Sequence, residues 1–279
     1  MNRIQKIITA ICLIAAALSY RPITAEKFVL TNTPATLDDW KSGSFYLDGK
    51  APSGAASDII ALKEDLEIEV NAADTEIIEF LEAISYLTFQ GEAIFALNVE
   101  QTCEFSGKVK HNDDYQGRFE KRGDGHLKLI STGLGDYQVD FFVMGGTVTL
   151  TPCPNDSWNM YDRVWIARGA KIHPMTGTAR WQIKGLSGDG ELENTSEQEA
   201  LIYITPNRGH LGPYNGKITG KITIELRNGT FEPTCSDNKY TGVMTVNTAS
   251  SYGAGYATLA LNKIGKTADI TTPSGPGSA

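Results

Sequence analysis

Cysteine is scarce in this chain, with 4 residues among 279. No Cys-x-x-Cys or clustered Cys/His spacing occurs, which argues against a structural zinc site. Histidine is equally thin. His111, His126, His173 and His210 stand apart, with no His-x-His or His-Glu-x-x-His pattern, so no metal centre is expected and the four read as solvated turn residues. A Gly-x-Ser-x-Gly elbow that would expose a nucleophilic serine is absent, as is the full Gly-x4-Gly-Lys-Ser/Thr phosphate loop. No cofactor is implied. Basic residues are also in deficit, 25 Lys and Arg against 33 Asp and Glu, for a formal charge of −8. An acidic surface cannot replace the counterions condensed on a phosphate backbone, so nucleic acid is excluded as a partner.

The N-terminal apolar run is short. "IITAICLIAAALS", Ile7 to Ser19, falls below the roughly 20 residues of a membrane-spanning helix. It follows Arg3 and Lys6 and precedes a polar stretch ending at Ala25. Residues 1–25 therefore read as a secretory signal peptide, cleaved after Ala25 or after Ser19. Its removal takes away Arg3, Lys6 and Arg21 and moves the charge from −8 to −11. The expectation is a secreted protein, extracellular, on the outer-membrane surface or periplasmic, with no stable membrane span once the leader is gone. Cys12 leaves with the leader. Cys103, Cys153 and Cys235 remain, enough for one disulfide and one leftover thiol in an oxidising compartment. Cys153 in "TPCPND" and Cys235 in "PTCSDN" occupy similar turn-like surroundings and are the favoured pair, although spacing does not decide it.

Helical periodicity is nearly missing. One stretch carries it: Ile77, Phe80, Leu81 and Ile84 follow acidic residues and predict a short helix over 75–83. Elsewhere the chain, with 28 glycines, repeats pairs of apolar residues separated by one outward residue: Leu127/Leu129, Val148/Leu150, Val164/Ile166, Ile202/Ile204 and Ile222/Ile224. Short strands at intervals near 20 residues, without crossover helices, leave an antiparallel β-sandwich or a stacked parallel solenoid. Asn228-Gly229 is the one clear two-residue hairpin signal. The other connections are long, unequal and polar, which favours stacked coils, since loops can bulge outward without disturbing the stack. The fold class is thus all-β, a parallel β-helix, with the sandwich as the alternative. Residues 26–74, with Trp40, form an entry or capping module; residues 75–270 form the solenoid, and residues 271–279 a flexible tail.

The segment "KRGDGHLKL" followed by "GDYQVDFFVMGGTVTL" resembles the autotransporter-associated β-strand repeat of bacterial secreted proteins. Lys121, Gly123, Gly125, Leu127, Leu129, Tyr137, Gly145, Gly146, Thr147, Val148 and Leu150 fall on that motif. "VWIARGAKI", "IKGLSGDGELEN" and "NKYTGVMTV" are similar to further segments of such proteins. The resemblance covers roughly half of the chain beyond residue 25 and is dense from Gly117 to Asn194. It implies a right-handed parallel β-helix acting as a passenger-type module on the cell surface.

The functional expectation is a non-enzymatic, adhesin-like or structural solenoid, with cell-surface glycans or matrix polysaccharide as partners. Outward aromatics such as Tyr115, Tyr137 and Trp158 are candidates for stacking on sugars. The alternative is a carbohydrate-active β-helix, a polysaccharide lyase or hydrolase, for which Asp113/Asp114 and Asp136/Asp140 supply carboxylates and Arg118 and Lys121 positive charge. No catalytic residue is assigned. The tripeptide Arg122-Gly123-Asp124 resembles an integrin ligand, but the repeat itself already demands its glycine.

Overall fold

A computed structural model describes residues 25–111, 117–130, 137–151, 158–177, 180–205, 212–227, 229–231, 233–235, 237–246, 257–259 and 270–271. The chain is mostly β with few helices and forms a parallel β-solenoid of about seven turns. The sandwich alternative is thereby set aside. Among the described residues all pairings between its strands are parallel, as in Phe119 with Phe141 or Leu127 with Val148. Among the described residues the one antiparallel bridge, Leu30 with Tyr46, lies in the N-terminal segment.

Two sheets run the length of the coil. Among the described residues the long sheet has ten strands, beginning with Glu67–Asn71, Ile94–Asn98, Arg118–Arg122, Asp140–Val143, Trp158–Ile166 and Arg180–Gly188. The second sheet has seven described strands, among them Thr102–Phe105, His126–Leu129, Thr147–Leu150, Lys171–His173 and Glu191–Asn194. The chain alternates between them, so each turn lays one strand onto each sheet. A third sheet of three strands, Lys27–Leu30, Ile59–Leu62 and Tyr86–Phe89, closes the N-terminal side.

This stacking follows from the apolar pairs. In a strand alternate side chains face opposite sides, and parallel register sets each inward residue over its counterpart one turn earlier. Leu127, Val148, Ile172, Leu192 and Ile218 form one such column, and all are fully buried. Phe95, Phe119 and Phe141 form another, with ring centroids 5.5 and 5.1 Å apart. Each such side chain contributes roughly 1.5–3 kcal/mol of burial free energy. Because the columns are continuous, no turn can bury its apolar face without its neighbours.

Corners are tight. A Cβ on Gly216 would lie 1.6 Å from the Gly190 carbonyl oxygen, so glycine lets two consecutive corners touch. At the N-terminal end, helix Leu37–Trp40 carries a capping box in which Thr36 and Asp39 satisfy each other's backbone amides. It delivers Trp40, fully buried, against Phe80 of helix Thr75–Ala83. The latter helix buries Ile77, Phe80 and Leu81, as the spacing predicts, with Ile78 beside them and Ile84 buried just past its end. Thr33 donates its hydroxyl to the Glu67 carbonyl on the first strand of the long sheet, covering part of an edge that would otherwise stay open.

Candidate functional site

The register turns outward residues into rows as surely as it turns inward ones into columns. On the long sheet one row runs Glu67, Ile94, Arg118 and Asp140, with Arg163 next in line; its neighbour runs Glu69, Ala96, Glu120, Phe142 and Trp165. The first row is knit by charge. Arg163 bonds both carboxylate oxygens of Asp140 through Nε at 3.1 and 3.0 Å, and its backbone amide adds a third contact at 3.1 Å. Arg118 Nε lies 2.8 Å from Glu120, which is only 4% exposed. Arg122 reaches Glu67 at 2.6 Å, Glu69 at 2.7 Å and Glu120 at 2.7 Å, tying its own strand to Glu67–Asn71 across the intervening strand Ile94–Asn98. Partial burial alone would lower the Arg122 pKa, but the hydrogen bonds to Glu69, Glu120 and Glu67 prevail and hold it above the ordinary guanidinium value. For Arg163 the hydrogen bond to Asp140 is the largest influence and likewise raises its pKa.

Along the first row lies an open groove of about 420 Å³, lined by Asp65, Glu67, Glu92, Arg118, Asp140 and Arg163 together with Ile94 and, from the second row, Phe142. Phe142, which lines it, and Trp165 on the next rung form a half-buried aromatic pair, centroids 5.7 Å apart and planes 31° apart. The Arg118 guanidinium lies 5.2 Å from the Phe142 centroid, a cation–π contact that fixes the ring.

The second sheet carries a histidine row. His126 Nε2 lies 2.7 Å from the Thr149 hydroxyl, which lies 3.4 Å from His173 Nδ1; His173 Nε2 is 3.4 Å from Glu193. Burial, then the neighbouring His173, Lys128 and Lys121, lower the pKa of His126. A third polar cluster sits inside the coil. Asp162, 1% exposed, contacts His111 through one carboxylate oxygen and Lys184 through the other. Burial would raise the Asp162 pKa, but these two partners lower it. The reading of the histidines as solvated turn residues is corrected for three of the four: His126 and His173 belong to strands and the side chain of His111 is buried. His210 lies outside the described residues.

The motif residues occupy two consecutive turns. Leu127, Leu129, Val148 and Leu150 point inward; Thr147 lies outward beside His126, and Gly123, Gly125, Gly145 and Gly146 form the corners. Lys121 faces inward in a column between Leu97 and Val143. Its ammonium donates to the carbonyls of Gly123 (2.5 Å), Gly125 (2.7 Å) and Gly145 (2.7 Å), clipping two successive corners together. A Cβ on Gly146, whose φ is +61°, would come 2.4 Å from that ammonium.

Two expectations about surface groups are corrected. Tyr137 is buried rather than outward, its hydroxyl donating to the carbonyls of Phe105 (3.0 Å) and Ile130 (3.3 Å), so it is scaffold. Lys121 is likewise no surface charge. Tyr115, Asp113, Asp114, Asp136 and Cys153 lie outside the described residues, and with Cys153 lies its pairing to Cys235. Of Trp158 only the backbone is described. Arg122 is engaged by three carboxylates, which leaves the integrin-like tripeptide without its free guanidinium. Among the described residues no group of three or more His, Cys, Asp or Glu is placed to hold a metal ion. Phe142 and Trp165 were missed as surface aromatics. Their signal was parity, since each stands between two inward residues, Phe141/Val143 and Val164/Ile166.

In comparisons with protein-family models, with curated proteins and with solved structures, nothing matches this chain.

Proposed function

We propose that this chain is a non-enzymatic β-solenoid module of adhesin-like or structural type, secreted or displayed on a bacterial cell surface, akin to the autotransporter-associated β-strand repeat proteins it resembles. The observation that carries this reading is how four outer-face carboxylates of the long sheet are engaged. Asp140 is bound by Arg163, Glu120 lies between Arg118 and Arg122, and Glu67 and Glu69 are held by Arg122. A general acid or base needs a carboxyl free to exchange its proton at the substrate; carboxylates fixed by guanidinium groups instead make a rigid recognition surface. Many weak contacts along such a surface add through effective concentration.

The test combines adhesion with turnover. The purified chain is expected to bind whole cells or matrix polysaccharide and to release no reducing ends or unsaturated products from a polysaccharide panel. Catalytic release of either product would replace this reading with the lyase or hydrolase alternative. Absence of any binding to cells, matrix or glycans would remove the adhesin-like reading itself.

A further inference from the structure

We propose that the outer face of the long sheet at Phe142 and Trp165 is a subsite for a neutral, extended polysaccharide running along the solenoid axis. This rests on the adhesin-like reading and specifies its ligand. The aromatic pair comes first. Two large rings stand half-buried, each with part of its surface open, on successive rungs of an acidic protein, aligned by the Phe142–Trp165 register and steadied by Arg118. Apolar ring surface of this kind packs against the C–H-rich faces of pyranose rings. Successive rungs of a parallel sheet lie about 4.8 Å apart, close to the length of one sugar in an extended chain, so neighbouring rungs can meet neighbouring sugars.

The polar row supplies the rest. Arg118, Asp140 and Arg163 run beside the aromatic pair along the open groove, offering donors and acceptors whose geometry is already set by their mutual pairing. Such preorganised groups lose little freedom on binding hydroxyls. Charge then selects the ligand. The groove is lined by four carboxylates, Asp65, Glu67, Glu92 and Asp140, against two guanidiniums, Arg118 and Arg163. A polyanion would meet net repulsion, whereas a neutral chain of hydroxyls meets none.

The experiment uses the intact chain in affinity gel electrophoresis and calorimetry with soluble β-glucan and galactomannan as neutral probes, polygalacturonate as polyanion and chitosan as polycation. Binding to at least one neutral probe is expected, weakened about tenfold in Trp165→Ala and in Phe142→Ala, as loss of one aromatic contact implies. Trp165→Phe should recover part of it, and Lys128→Ala on the second sheet should leave it unchanged. Circular dichroism and thermal midpoints verify that each variant is folded. Tighter binding to polygalacturonate or chitosan than to the neutral probes would overturn the proposal. So would undiminished binding in the folded Phe142→Ala/Trp165→Ala double variant; retained cell adhesion by that variant would leave the adhesin-like reading standing. If the wild type binds neither glycans nor cells, both fall.

Discussion

Replacing Asp162 with alanine is expected to cost about 3–5 kcal/mol of stability, read as a lower urea midpoint at pH 7. The estimate follows from what breaking a buried ion pair from one side does: partners that cannot regain water are left uncompensated. Here the carboxylate meets His111 and Lys184, whose side chains are 6% and 13% exposed, while Asp162 itself is 1% exposed. Asp162→Asn keeps the shape and one acceptor and should cost less. The pH dependence has a definite sign. Because the folded state lowers the Asp162 pKa, its contribution is complete above the unfolded carboxylate value near 3.8 and is lost as pH falls through the lower folded value. The stability difference between wild type and Asp162→Ala should therefore shrink only below about pH 4. An equal difference at pH 7 and pH 2.5 would show that the ion pairs are not its source.

Lys121→Met is expected to cost about 3 kcal/mol at pH 7, since it removes the donor to three corner carbonyls and a buried acceptor left without a partner costs about 1–3 kcal/mol. Gly125 keeps the Thr147 amide as a second donor, at 3.1 Å, which is why the figure stays below the sum of three losses. Lys121 also predicts alkaline behaviour. Burial is the largest influence on its ammonium and lowers the pKa to about 8 from 10.5, against the opposing pull of Asp124 and Glu100. Between those values the unfolded chain binds more protons than the folded one, so Lys121 adds stability as pH rises from about 8 towards 10. The wild type should gain on Lys121→Met by about 2 kcal/mol over that window, one pKa unit corresponding to about 1.4 kcal/mol. Denaturation curves at pH 7.5 and pH 9.5 measure it. A gap that narrows on going alkaline would mean that the cation itself holds the corners and that its burial carries no cost.

The solenoid was legible in the sequence because its physics is repetitive. The pairs Leu127/Leu129, Val148/Leu150, Val164/Ile166, Ile202/Ile204 and Ile222/Ile224 are all inward and buried. Helix Thr75–Ala83 was legible for the corresponding reason, a 3.6-residue period with an acidic start. The site was legible only in part. Outward rows depend on which residue of one turn lies over which residue of the next, and loops of unequal length hide that offset until the turns are stacked. The Asp162 cluster is the clearest case, since His111 is 51 residues away in sequence. Parity did hold information that apolar patterns alone do not use. Lys121 and Asp162 fall on the inward phase of their strands, alongside Phe119 and Val164, and a charge at such a position must find partners inside. Phe142 and Trp165 fall on the outward phase, where a large ring has no core to fill.

Parallel stacking underlies every one of these assignments, and cross-linking tests it directly. With the native cysteines replaced by serine, the cysteine pairs His126→Cys/Thr147→Cys and Lys128→Cys/Thr149→Cys join residues in register on adjacent turns. Neighbouring parallel strands lie about 4.8 Å apart, within disulfide range, whereas the diagonal pairs are beyond about 7 Å between Cα atoms. Mild oxidation should close both registered pairs in the folded protein and leave His126→Cys/Thr149→Cys and Lys128→Cys/Thr147→Cys reduced. The reverse result, diagonal pairs closing while registered pairs stay open, would mean antiparallel strands and would contradict the stacked coil.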